Sequence, residues 1–296
     1  MASKKRTRDK LPIIFNALCE LFLKKIPLQS QEAYYQIIIN DINSCSKEDL
    51  TREFVIGDKC EISQRIWGWK IDTLTIIHLS AMVDNLDIIE TVVKRGISIN
   101  TQIRVTAFNK YLPLHCAILT RQPLMIKKIK ELGGNFNEPF KNGFLNPLIF
   151  AYFTIIQCFE MCLRCGSNPD CFIDTAGVNA TLFHECVLRQ KYIHIRLLLD
   201  YKADPYIQNI SGYSVWHFLC SMCPYDIICI KLFLDYGINI DFDSEQGYTG
   251  THYLESSDYK EEHVKTIYQY KLKNFLQDKK EKESVLETSC SREYRN

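Results

Sequence analysis

Hydrophobic and polar positions along this chain fall into a recurring pair of helical patterns. Each copy has a short, almost wholly apolar stretch, then a one-sided stretch with its apolar residues three and four apart. The one-sided stretches read Ile89-x-x-Val92-Val93-x-x-Gly96, Ile126-x-x-Ile129-x-x-x-Gly133, Phe159-x-x-Cys162-Leu163-x-x-Gly166, Ile195-x-x-Leu198-Leu199-x-x-Lys202 and Ile230-x-x-Phe233-Leu234-x-x-Gly237. That spacing lines a single helix face. A terminal glycine supplies the left-handed backbone that closes a helix. Lys202 stands where the other copies have glycine and predicts a less favourable end there.

Histidines mark the short stretches. They occur as Thr75-Ile-Ile-His78, Leu112-Pro-Leu-His115, Thr181-Leu-Phe-His184, Ser214-Val-Trp-His217 and Thr249-Gly-Thr-His252, and Asn146-Pro-Leu-Ile149 is a sixth copy with isoleucine in the slot. Successive slots are 37, 34, 35, 33 and 35 residues apart, a period that belongs to stacked supersecondary units. Three residues before the slot stands Thr, Ser or Asn in five of the six copies, side chains that cap a helix N-terminus. Pro113 and Pro147 take the next position, where a missing N–H costs nothing. The slot-to-glycine distance is 18 residues from His78 to Gly96 and 20 from His217 to Gly237, so two residues are inserted around Cys223-Pro224-Tyr225.

The flanks read as caps. Residues 11–27 and 30–45 predict two amphipathic helices, and 47–57, with Leu50, Phe54 and Gly57, predict the second helix of a degenerate first repeat. Trp67 and Trp69 are expected to cover core at the junction of cap and repeats. Val264, Ile267, Tyr268, Leu272, Phe275 and Leu276 predict a closing helix over 263–279, and the polar residues from about 280 onward a frayed tail.

These paired motifs resemble the ankyrin repeat, with its Thr-Pro-Leu-His start and Gly-Ala-Asp-Pro-type ending. The nearest endings here are Lys202-Ala-Asp204-Pro205 and Gly166-Ser-Asn-Pro-Asp170, and Asn100, Asn137 and Asn239 follow other copies. The resemblance covers about residues 72–257. It implies an all-α fold, an ankyrin-repeat solenoid of about six helix-turn-helix repeats with short β-hairpin-like finger loops and helical caps. The expected division is an N-terminal helical cap over 1–70, the stack over 71–257, and a capping helix with polar tail over 258–296. The resemblance also implies that His78, His115, His184, His217 and His252 are structural, each hydrogen-bonding its turn and the backbone of the neighbouring repeat.

Composition narrows the function classes. With 36 Lys+Arg against 35 Asp+Glu the formal charge is +1, which gives no global field for nucleic acid or anionic membrane. Sixteen Phe and sixteen Tyr rule out a disordered chain. The longest apolar run, Leu148 to Phe159, has 12 residues and falls short of the roughly 20 that span a bilayer. The N-terminus has no secretory pattern, so the 13 cysteines are expected to be reduced thiols of an intracellular protein. Lys5-Arg6-Thr7-Arg8 fits a minimal nuclear-import pattern. The expected location is therefore cytoplasmic, with nuclear entry left open through the basic run Lys4–Lys10.

Candidate chemistry mostly dissolves on inspection. His184-Glu185 begins a zinc-protease motif whose second histidine is replaced by Leu188, and Gly212-Tyr-Ser214-Val-Trp216 begins a nucleophile elbow whose second glycine is Trp216. No phosphate loop or dinucleotide fingerprint occurs, so neither catalysis nor a cofactor is expected. Cys158, Cys162, Cys165 and Cys171, and separately His217, Cys220, Cys223 and Cys229, have spacings that zinc could use. The repeat register instead turns Cys162, Cys220 and His217 into packed interfaces.

A repeat stack binds through its concave face and projecting fingers. The fingers are expected near 103–111, 140–145, 173–179, 207–213 and 242–248. Within them Asn109, Lys110, Tyr111, Lys141, Asn142, Phe144, Tyr213, Glu245 and Tyr248 are the candidate partner contacts, the aromatics because rigid rings dominate interface energetics. The expected function is a non-enzymatic adaptor or scaffold for a protein partner, with no specific nucleic acid and no membrane insertion. Alternatives are an IκB-like inhibitor of a transcription or signalling factor, such as a viral or symbiont mimic, and a substrate adaptor of a ubiquitin ligase. Partner identity and oligomeric state are not set by these features.

Overall fold

The computed structural model describes residues 10–55, 73–104, 110–137, 146–175, 178–223, 226–255, 265–267, 269–270 and 273. Its contacts divide the chain into two compact units, Met1–Cys171 and Phe172–Asn296.

The first unit begins with α1 (Leu11–Phe22) and α2 (Leu28–Ser44), followed by the single turn α3 (Lys47–Leu50). Three helix pairs follow: α4 (Ile76–Met82) with α5 (Leu86–Lys94), α6 (Pro113–Leu119) with α7 (Pro123–Glu131), and α8 (Pro147–Tyr152) with α9 (Ile156–Arg164). First helices pack on first helices, α4 on α6 and α6 on α8, and α7 packs on α9 in the second layer. The flanking helices join the same scheme, since α1 lies on α4 and α2 on α5. The N-terminal pair therefore continues both layers.

That arrangement changes one expectation. Segment 47–57 is helical only over α3 and then enters strand β1 (Phe54–Val55), which pairs with β2 (Thr73–Leu74) in register Phe54↔Leu74. Thr51 turns its hydroxyl back onto the Glu48 carbonyl at 2.7 Å, and the Phe54 ring stacks on Phe15 at 4.0 Å. The second-layer position is already filled by α2, so no further helix is needed there.

The second unit opens with hairpin β5 (Phe172–Thr175) and β6 (Val178–Thr181), in register from Phe172↔Thr181 to Thr175↔Val178. Pairs α10 (Leu182–Leu188) with α11 (Tyr192–Asp200) and α12 (Val215–Met222) with α13 (Ile227–Asp235) follow, and α14 (Gly250–Glu255) packs on α12. Of the helix expected over 263–279, the described positions 265–267, 269–270 and 273 are helical and Ile267 is buried. The first unit holds one further hairpin, β3 (Ile103–Arg104) with β4 (Lys110–Tyr111).

Every residue of α4 and α8 is buried, which explains why the short stretches are apolar all round. The second helices bury only one stripe, for example Ile88, Ile89 and Val92 of α5. Lys202 adopts φ +64°, the left-handed conformation that Gly237 takes at φ +69°. The loop after each second helix is tied across the repeat boundary. In the first unit Asn100 donates to the Gly133 carbonyl at 3.0 Å and accepts from the Asn135 N–H at 2.8 Å. Asn137 repeats this on Gly166 and Asn168 at 2.7 and 2.6 Å. In the second unit the Tyr206 hydroxyl takes over, accepting from the Asn239 N–H at 2.6 Å.

Candidate interaction surface

Four of the five slot histidines, His78, His115, His184 and His217, are buried, and their bonds set what is left at the surface. His78, His184 and His217 each make the same two bonds. Nδ1 meets a hydroxyl three residues back, Thr75 at 2.8 Å, Thr181 at 2.8 Å and Ser214 at 2.7 Å. Nε2 meets a carbonyl of the next loop, Tyr111 at 3.2 Å, Tyr213 at 3.0 Å and Phe242 at 2.7 Å. A carbonyl only accepts, so Nε2 carries the proton, Nδ1 accepts, and the hydroxyl donates. The hydroxyls are therefore engaged by histidine and make no cap bond to the helix N–H groups. Where Leu112 offers no hydroxyl, its backbone N–H donates to His115 Nδ1 at 3.0 Å. Where the slot holds Ile149, Asn146 is free to cap and accepts from the Leu148 N–H at 2.9 Å. Burial lowers the pKa of His78 to about 3 and of His184 to about 4, and also lowers that of His217. They are neutral hydrogen-bonding parts.

His252 departs from this set. It is exposed, and its ring stacks on Tyr248 at 4.5 Å and 10°.

The cysteines are similarly absorbed. Cys158, Cys162, Cys165 and Cys171 are buried, as are Cys220, Cys223 and Cys229. Burial pushes the thiols up, Cys158 to about 11 and Cys171 to about 12, away from the thiolate a metal requires. Among the described residues no three His, Cys, Asp or Glu side chains group as metal ligands.

Candidate contacts converge in the second unit. The loop over 207–213 turns on Asn209, whose side chain accepts from the Ser211 and Tyr213 N–H groups at 2.9 and 3.1 Å. The next finger closes through the Asp243↔Thr249 bridge and lies directly on the first. The Glu245 N–H donates to the Gly212 carbonyl at 3.3 Å, and the Gln246 side chain donates to the Ser211 carbonyl at 3.0 Å. Gly212 has φ +74°, and a Cβ there would stand 2.8 Å from Glu245 Cβ. Only glycine permits both the turn and this approach.

Tyr213, Glu245 and Tyr248 thus share one surface. Tyr213 packs edge-on against Tyr253 at 5.5 Å, and Tyr248 packs against Tyr253 at 6.1 Å. Burial and the hydrogen bond to Tyr253 raise the Tyr213 phenol, so its hydroxyl stays neutral. Tyr248 is 46% exposed and Glu245 is exposed. Sequence reasoning missed Ile210, which is 70% exposed in this finger, and His252. An apolar residue in a turn reads as core, and His252 shares the local motif of its buried counterparts.

Tyr111 is a correction. It is fully buried, its ring between His115 at 5.3 Å and Phe150 at 5.5 Å, because β4 turns that position inward beside α6. Lys110 pairs with Arg104 in the β3–β4 ladder. Asn109, Lys141, Asn142 and Phe144 lie outside the described residues, as do Trp67, Trp69 and the basic positions Lys4, Lys5, Arg6 and Arg8. No helix among the described residues is long and apolar enough to cross a membrane.

Comparison with solved structures agrees with the helix pairing. The ankyrin repeat domain of Bcl-3, described as a unique member of the IkappaB family, superposes with a TM-score of 0.53 at 13% identity, over 85% of this chain and 95% of that one. An ankyrin repeat domain from Acinetobacter baumannii AYE follows with a TM-score of 0.49 at 17% identity, over 66% of this chain and 96% of that one. No family model matches the sequence, and no curated protein matches it either. The chain has the ankyrin-repeat fold.

Proposed function

We propose that this protein is a non-enzymatic interaction module that binds a protein partner through its finger loops and first-helix face. The observation that carries the reading is the convergence of Tyr213, Glu245 and Tyr248 on two fingers that touch at Gly212 and Glu245. Rigid aromatic rings beside one carboxylate suit a partner patch that offers a cation and an apolar rim. The buried histidines are consumed by the architecture, which supports a role without catalysis. Asn109, Lys110, Lys141, Asn142 and Phe144, in the finger segments of the first unit, are proposed as separate candidate contacts.

The test is affinity capture with cross-linking, using the full chain and a Glu245→Lys, Tyr248→Ala double variant. We expect cross-links from the 207–213 and 242–248 fingers to one partner, and at least tenfold weaker capture by the variant. Unchanged capture by a folded variant would reject this surface. Recovery of a transcription factor or of ligase subunits would select the inhibitor or the adaptor role.

A further inference from the structure

The second-helix layer treats its charges differently in the two units. In the first unit the carboxylate of Glu90 on α5 is clamped between Lys94 at 2.6 Å and Lys128 of α7 at 2.5 Å. Both cations lower the Glu90 pKa to about 2, the Lys128 hydrogen bond most. The two helices close their own polar contact.

In repeat register the Glu90 position becomes Arg196 on α11, and the Lys128 position becomes Leu232 on α13. The residue before Leu232 is a second cation, Lys231. Both cations are exposed, and among the described residues neither makes an ion pair. The gap between α11 and α13 is an open groove of about 400 Å³.

That groove is fixed at its ends. At the N-terminal end the Tyr192 hydroxyl donates to Asp226 at 3.1 Å, and at the C-terminal end the Tyr236 hydroxyl donates to Asp200 at 2.6 Å. The helices therefore run side by side in one direction. Between these straps Ile193 is 65% exposed and Ile228 is 58% exposed. Large aliphatic side chains facing each other across a polar-rimmed groove are what an amphipathic helix covers.

We propose that the groove between α11 and α13 docks an acidic amphipathic helix of a protein partner. Its carboxylate sits between Arg196 and Lys231, as Glu90 sits between Lys94 and Lys128 within the chain, and its apolar face packs on Ile193 and Ile228. Asp235, beyond the cations at the C-terminal end of the groove, sets polarity by repelling a second acid there. This surface is separate from the finger loops and does not rest on their function.

The test selects a phage-displayed library of random sixteen-residue peptides on the full chain. Fluorescence polarisation then measures selected peptides against wild type, Arg196→Glu/Lys231→Glu and Ile193→Ser/Ile228→Ser. All four side chains are exposed, and circular dichroism checks that the variants stay folded. We expect peptides rich in Glu or Asp with leucines three and four apart, at least tenfold weaker binding to both double variants, and weakening with salt. A Glu245→Lys, Tyr248→Ala chain must bind these peptides as wild type does, whatever happens to finger capture. No selected binder, or binders indifferent to Arg196 and Lys231, would overturn the proposal. So would self-association of the purified chain that the charge reversal abolishes, which would make the occupant a second copy. Competition with the selected peptides by a synthetic 256–296 segment added to the full chain would make the occupant the chain's own segment and overturn it equally.

Discussion

Lowering the pH from 7 to 5 is expected to destabilise this protein through its buried histidines. In the folded chain burial holds His78 and His184 at pKa values of about 3 and about 4. In the unfolded chain each returns to about 6.5. A depressed folded pKa means that the unfolded chain takes up the proton first. Stability is therefore intact above about pH 6.5 and is lost as pH falls toward the folded values. At pH 5 the unfolded imidazole lies about 1.5 pH units below its pKa, which favours unfolding by about 2 kcal/mol per site. Together the two sites cost about 4 kcal/mol, a large part of the roughly 5–15 kcal/mol that holds a domain folded. The assay is urea denaturation followed by far-UV circular dichroism at pH 7 and pH 5. His78→Gln/His184→Gln should start less stable at pH 7, because two hydroxyls and two carbonyls lose their partners. Its further loss at pH 5 should be smaller than that of wild type by about 4 kcal/mol, or by about 2 in each transition if the units unfold separately. His194 and His217, also lowered by burial, remain in both proteins and cancel. Equal losses in the two proteins would refute the assignment of neutral, buried imidazoles.

Four further outcomes follow from the geometry. Thr181→Val leaves His184 Nδ1 without its donor and should cost about 1–3 kcal/mol by urea titration, while Thr181→Ser restores most of it. Gly250→Ala drives a methyl into the indole of fully buried Trp216 and should cost about 1–3 kcal/mol or more, read as a fall in melting temperature. Lys202→Gly relieves a left-handed backbone and should stabilise the second unit by up to about 1 kcal/mol in the same titration. Tyr111→Ala should lose about 3–5 kcal/mol as a buried aromatic, whereas Tyr248→Ala should leave melting nearly unchanged and reduce partner capture.

The repeat was legible because its physics is local. Apolar spacing, terminal glycines and slot histidines each act within about ten residues of chain, so α4 to α13 lie where the copies place them. What the sequence concealed are choices between partners. Thr75, Thr181 and Ser214 carry the side chains of helix caps, yet a histidine one turn on offers a buried acceptor and takes the hydroxyl. Tyr111 and Tyr213 both precede a slot histidine, yet β4 faces one inward while the finger leaves the other half-buried. His252 repeats the motif of its predecessors and is exposed all the same. Composition of a short window fixes which groups can bond, and the neighbouring element decides which of them do.

The same logic separates the two surfaces. A finger side chain is available to a partner when the backbone beneath it is already satisfied, as it is over the Asn209 turn and at the Gly212–Glu245 contact. A second-helix charge is available to a partner when no ion pair engages it, as for Arg196 and Lys231 among the described residues. Glu90 is instead engaged by both Lys94 and Lys128. Arg196 and Lys231 line one groove and make no ion pair among the described residues, so an incoming carboxylate would give both a partner. Placing that carboxylate inside the chain instead is therefore a sharp test of the argument. Leu232→Glu puts an acid in the position that Lys128 takes in the first unit, with the charges exchanged. It should stabilise the second unit slightly, by an amount ordinary for a surface pair of about 0–1 kcal/mol, and abolish binding of the acidic peptides. If the peptides bind Leu232→Glu as they bind wild type, the cations are not what the groove offers.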